Sequence, residues 1–188
     1  MSDLEWYHYP EQYGHLLEQT KDHELVVLHE DGLYRHLRFK APGTSMWHWD
    51  LITWPGSLAI RGDIGEGFIF TRTADMLRFF DQGQGAGRIN ASYWAEKLDR
   101  GSRSVRSFSP RKFREWVSEA VADREDAAAV IGDAGDVDYD HEAVDVLNDH
   151  RVDWDDVGAW QDYDYHFILA LHAILWGAKK YHESKATT

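Results

Sequence analysis

The apolar positions change their period once along the chain. Between Glu24 and Thr71 they fall in short runs separated by turn residues. Glu24–His29 contains Leu25, Val26, Val27 and Leu28. After Asp31-Gly32, a strong hairpin signal, Leu33 to Lys40 alternates: Leu33, Leu37 and Phe39 share one side with Arg35, against Tyr34, His36, Arg38 and Lys40. Ala41-Pro42-Gly43 turns the chain into Met46–Thr53, which is aromatic or branched on both sides and reads as a central strand. Pro55-Gly56 and the glycine-rich Gly62-Asp63-Ile64-Gly65 set off two further runs, Ser57–Ile60 and Gly67–Thr71. A period of two between short connections pairs sequential neighbours antiparallel. The pattern predicts a meander of about five strands over residues 24–71.

From Thr73 onward the period is helical. Thr73 is the expected cap of a helix through Asp75, Met76, Leu77, Phe79 and Phe80. Ser92–Leu98 reads as a short helix. Ser109-Pro110 opens a longer one, to about Ala129, with Phe113, Trp116, Val117, Ala120 and Val121 on one stripe. Gly132–Asp138 reads as a loop and Tyr139–Asn148 as a helix. Tyr163–Tyr181 is apolar nearly all round, so it is expected to be the most buried helix. Residues 11–22 form a further short helix, weakened by Gly14. Strands followed by helices predict an α+β fold, the antiparallel meander packed by helices from residues 73–182, within a single domain of 188 residues.

Composition narrows the class. Aromatic residues make up 14% of the chain and include nine Trp, which excludes a disordered tail. Cysteine is absent, which excludes disulfides, zinc–thiolate sites and cysteine nucleophiles. The sequence opens on no basic-then-apolar leader. Its longest apolar stretch, Phe167–Trp176, is broken by His172 and falls short of the roughly 20 residues of a membrane span. A soluble intracellular protein, away from membranes, is the expectation.

Charge changes the picture most. The formal net charge is −13, from 20 basic and 33 acidic residues. Residues 123–164 hold 15 acids against only Arg124 and Arg151, so that segment carries −13 and the remainder, 18 against 18, is neutral. Residues 61–114 lean the other way, with 11 basic and six acidic residues. A general adaptation to salt would spread acid over the whole chain. A confined acidic segment repels nucleic acid and attracts a basic protein. The candidate partner-binding residues are Asp133, Asp136, Asp138, Asp140, Glu142, Asp145, Asp149, Asp153, Asp155 and Asp156. Val144, Val146, Leu147, Val152, Trp154, Val157, Trp160 and Tyr163 are available to anchor them.

No motif assigns a reaction. A calcium loop starting at Asp136 needs Gly sixth and Glu twelfth, where this chain has His141 and Leu147. The chain has 11 His but no His-Glu-x-x-His. The glycine-rich stretch from Gly62 joins two strands and lacks a following Lys-Ser or Lys-Thr, and no Gly-x-Ser-x-Gly is present. No catalytic residue, metal or cofactor is therefore assigned. Two other readings rest on the aromatic sheet. Arg35, Arg38, Arg61 and Arg72 beside Trp47, Trp49 and Trp54 offer a nucleotide or signal-molecule site. His36, His48 and Asp50 offer the elements of a small metal- or His-dependent hydrolase.

Three stretches carry a family likeness: Tyr34-Arg35-His36-Leu37-Arg38-Phe39 through Asp50-Leu51-Ile52-Thr53-Trp54-Pro55-Gly56; Gly62-Asp63-Ile64-Gly65 through Phe68-Ile69-Phe70-Thr71-Arg72; and Asp164-Tyr165-His166-Phe167 through Ala173-Ile174-Leu175-Trp176-Gly177. Together with Asp75–Phe80, Ile89-Asn90 and Tyr93–Leu98, they make most of residues 33–182 resemble a family of small accessory proteins encoded by tailed bacteriophages and prophages. The resemblance is weakest around residues 123–160. It implies a phage product in the cytoplasm of a bacterial host and carries over no catalytic residue. Combined with the charge, the expectation is a non-enzymatic inhibitor of a host defence system, of anti-CRISPR or anti-restriction type. Its acidic, nucleic-acid-mimicking face would meet a basic, nucleic-acid-binding host protein.

Overall fold

The computed structural model describes residues 7–65, 67–83 and 85–186. In chain order the elements are β1 (Tyr7–His8), α1 (Pro10–Thr20), β2 (Glu24–Asp31), β3 (Tyr34–Lys40), β4 (Trp49–Trp54), β5 (Ser57–Gly62), β6 (Phe68–Thr71), α2 (Met76–Phe80), β7 (Arg88–Ile89) and α3 (Ala91–Ala95). They continue with β8 (Arg106–Phe108), α4 (Pro110–Ala120), α5 (Ala127–Gly135), α6 (Asp140–Asp149), β9 (Gln161–Tyr163) and α7 (Tyr165–Ala186). The chain divides into two compact units. One runs to Val105 and resumes at Asp164; the other is Arg106–Tyr163.

The first unit is built on a five-stranded antiparallel sheet in the order β2-β3-β4-β5-β6, so the fold is α+β. Alternation sets its two faces. In β3, Arg35, Leu37 and Phe39 are buried while Tyr34, His36, Arg38 and Lys40 point the other way. The buried face gathers Leu37, Phe39, Trp49, Leu51, Leu58 and Phe70, each fully shielded. Each such side chain contributes about 1.5–3 kcal/mol on leaving water. α7 covers this face. Its Trp176 ring meets Phe39 and Trp49 edge-on with centroids 5.7 Å away in both cases, and Phe167 stacks against Phe70. Gly177 lets the helix approach: a Cβ there would lie 2.9 Å from Leu51 and Phe39. Residues from Phe167 to Leu175 are buried in succession, so α7 has no solvent stripe over those turns.

Two local expectations change. β4 begins at Trp49 rather than Met46. Trp47 takes a left-handed φ of 58°, uncommon for a bulky residue, and its carbonyl is held 2.7 Å from His23 Nε2. Trp47 and Trp49 therefore do not share a strand face. The cap of α2 is Asp75, not Thr73: its carboxylate accepts from the Leu77 and Arg78 amides. Before β8, Ser102–Val105 coils into a 3-10 turn. At one sheet edge, Lys97–Asp99 lies along β6, with Thr71 N donating to Lys97 O and Asp99 N to Ile69 O. At the other edge, β2 is interrupted by a bulge between Val27 and His29, one of the ways a sheet edge is made a poor template.

The second unit has its own core, centred on Phe113, Val117, Val130, Ala143, Leu147 and Trp160. The rings of Phe113, Trp116 and Trp154 all meet Trp160 within 5.9 Å. The long helix expected to reach Ala129 breaks at Ala120, and α5 occupies most of the stretch expected to be a loop. The reason is phase. The stripe through Phe113, Val117 and Val121 would continue at Arg124 and Ala128, whereas the next buried residues are Val130 and Ala134. Only a turn brings them to the same core. Arg124 holds that turn, clamping Asp126 at 2.8 and 2.7 Å and donating to His150 O at 2.8 Å. β8 and β9 pair antiparallel across the ends of the unit's sequence.

Candidate functional site

The second unit holds sixteen acidic residues against six basic ones, a balance of −10. Its core residues and its carboxylates come from the same short elements by helical alternation. On α6, Ala143 and Leu147 are buried, while Asp140, Asp145 and Asp149 are exposed. Asp145 and Asp149 stand one turn apart, an arrangement of like charges that weakens a helix. Asp133 and Asp136 are exposed on or just after α5. Asp153, Asp155 and Asp156 follow α6, fixed at both ends by buried Val152 and Trp160.

All ten carboxylates expected to meet a partner lie in this unit, and all are exposed except half-buried Glu142. They fall into two groups. Five have local partners. Asp133 lies 2.7 Å from His150 Nε2, Asp138 is 3.7 Å from Arg114, and Asp140 is 3.9 Å from His141. Asp156 accepts from Gly158 N. Glu142 accepts from the Asp138 and Tyr139 amides at 3.0 and 3.1 Å, and these bonds hold its carboxyl below the usual range. Glu142 is therefore a helix cap. The other five, Asp136, Asp145, Asp149, Asp153 and Asp155, have no ion pair among the described residues.

The second set of expected residues is divided by the sheet. His36, Arg38 and Asp50 do converge, on the solvent side. Arg38 grips Asp50 with both Nε and Nη2, at 2.7 and 2.9 Å. His36 Nε2 lies 3.0 Å from Asp50 Oδ2, in contact though off the line of an ideal hydrogen bond. Asp50 is only 2% exposed beneath them. Burial pushes its pKa up, but the hydrogen bonds and charges of Arg38 and His36 outweigh that and leave it below the ordinary value. Arg61 is opposite Asp50 on β5 and exposed. Arg35 is on the other face, buried, paired to both oxygens of Asp75 at 3.0 Å and stacked over the Tyr181 ring. His48 stands apart before β4, on Ser45 O and Asp63. Arg72 is exposed at the end of β6.

The arginines expected at a nucleotide or signal-molecule site are thus partly spent: Arg35 and Arg38 each grip a carboxylate with two nitrogens. His36, His48 and Asp50 are not one cluster, and no group of three or more metal-ligating side chains occurs among the described residues. Among those residues no helix is long and apolar enough to cross a membrane. One feature of the sheet had no signal in sequence. His29, Asp31, Tyr34 and Trp54 join His36 around a single hollow. Asp31 reads as a turn residue beside Gly32, and only the strand register brings it near Trp54.

The class these observations define is an α+β protein with an acidic, separately cored helical unit. Comparison with family models, with curated proteins and with solved structures finds no match.

Proposed function

We propose that the chain is a non-enzymatic binding protein whose helical unit, Arg106–Tyr163, captures a basic protein that itself handles nucleic acid. The observation that carries this reading is the set of five exposed carboxylates, Asp136, Asp145, Asp149, Asp153 and Asp155, which have no ion pair among the described residues and are rooted in a packed core. Asp133 and Glu142, by contrast, are engaged within the unit, in a histidine contact and a helix cap. Fixed charges avoid the ordering entropy that a disordered acidic tail must lose on binding. Spaced along one segment, they compete with phosphates for the same lysines and arginines. The likeness to phage-encoded accessory proteins gives the partner a setting, a host defence protein that grips DNA or RNA.

The test uses the full chain immobilised at low salt, offered a panel of basic DNA-binding proteins with acidic proteins as controls. Retention of basic proteins, reversed both by salt and by added duplex DNA, supports the reading. Retention that duplex DNA leaves unchanged, or none at all, overturns it.

A further inference from the structure

The solvent side of the sheet carries chemistry that the acidic unit does not use. Register places His29 opposite His36, His36 opposite Ile52 and Arg38 opposite Asp50. Toward the turn between β2 and β3 this face holds an open hollow of about 460 Å³, lined by His29, Asp31, Tyr34, His36, Ile52 and Trp54. The first unit alone supplies every one of these residues.

Three features fix what the hollow accepts. The first is its aromatic wall. Tyr34 is 55% exposed, and the register that pairs Arg35 with Thr53 sets it beside Trp54. Aromatic faces left open to water attract cations and stacked planar groups. The second is charge. Asp31 is exposed and has no ion pair among the described residues. Arg35 also borders the hollow, but Asp75 neutralises it from the buried side. The third is a braced imidazole. His36 touches the Asp50 carboxylate through Nε2. Arg38 holds Asp50 from its other side, so the imidazole is braced by a buried, fixed carboxylate.

An exposed carboxylate and two aromatic rings favour a planar cation rich in N–H donors. Phosphate or carboxylate ligands would meet Asp31 unfavourably. We propose that the hollow receives the planar guanidinium group of an arginine side chain from a protein partner. Guanidinium stacks on aromatic faces and presents five donors in one plane, whereas a lysine ammonium is a strongly hydrated point charge. This is a recognition site on the sheet, separate from the acidic unit, and it stands or falls without it.

The test titrates the full chain with N-acetylarginine methylamide, N-acetyllysine methylamide and adenosine, while following the Trp54 indole N–H resonance, assigned with Trp54→Phe. Arginine is expected to give a saturable shift at millimolar concentration, several-fold weaker with lysine, and lost in Asp31→Asn. Asp31→Asn keeps shape at an exposed turn, so its folding is secure even if a larger change such as Trp54→Leu unfolds the sheet. An equal response to lysine, saturation by adenosine in place of arginine, no response at all, or a shift unchanged in Asp31→Asn overturns the proposal.

Discussion

At the residue scale, the fold depends on a few positions where space or charge leaves no freedom. Gly177 is one. Adding a methyl group drives it into Leu51 and the Phe39 ring, both fully buried. Gly177→Ala should destabilise by about 1–3 kcal/mol, the cost typical of overpacking, despite the better helix propensity of Ala. Urea unfolding measures it, and a neutral or stabilising effect would show that α7 has room to move off the sheet. Asp50, Asp75 and Glu30 form a second group. At Asp50 and Asp75 burial works against ionisation, but Arg38 and His36, or Arg35 with the Leu77 and Arg78 amides, prevail. At Glu30, hydrogen bonds from Lys185 and Tyr181 lower the pKa. All three are depressed in the folded state. Their contribution is therefore fully present above the unfolded carboxylate value of about 4 and is lost as pH falls through the lower folded values. Stability measured against pH should fall in acid below about pH 4, and Asp50→Asn should make that fall shallower. An identical acid profile in the variant would remove Asp50 from this account.

At the element scale, legibility followed period and failed where tertiary contacts decide. The five strands and their order were readable because alternation and turn residues are local signals. The start of β4 was not, because Trp47 takes a left-handed backbone that its sequence discourages and that His23, 24 residues away, braces. The α4–α5 break was visible only as a phase slip between Val121 and Val130, easily lost in an alanine-rich run. The Arg38–Asp50 pair follows from β3–β4 register, and both residues are candidates in the sequence. Asp31 and Tyr34 were missed at the hollow because their neighbour Trp54 is fixed by pairing, not by proximity in the chain. Caps offer a check at this scale. Asn90, 3% exposed, accepts from the Tyr93 amide to start α3. Asn90→Ala should cost about 1–2 kcal/mol, while Asn90→Asp should recover most of it. Equal losses in both would assign the residue to packing instead.

At the scale of the whole molecule, apolar burial and charge are distributed differently between the two units. Each has a core, but the acidic excess is concentrated in Arg106–Tyr163. Trp160 is fully buried at the centre of the second core. Trp160→Ala should cost that unit about 3–5 kcal/mol. Amide exchange should then quicken in α4, α5 and α6 more than in β3 and β4, and uniform acceleration would mean that the units unfold as one. The binding account rests on charge rather than core, and one measurement separates the two most directly. Asp145, Asp149, Asp153 and Asp155 are changed together to Asn, and affinity for a captured basic partner is followed against salt. The account predicts affinity lowered by about tenfold or more, a flatter dependence on salt and thermal stability equal to or above that of the unaltered chain. The same affinity and the same salt dependence in the variant would contradict it.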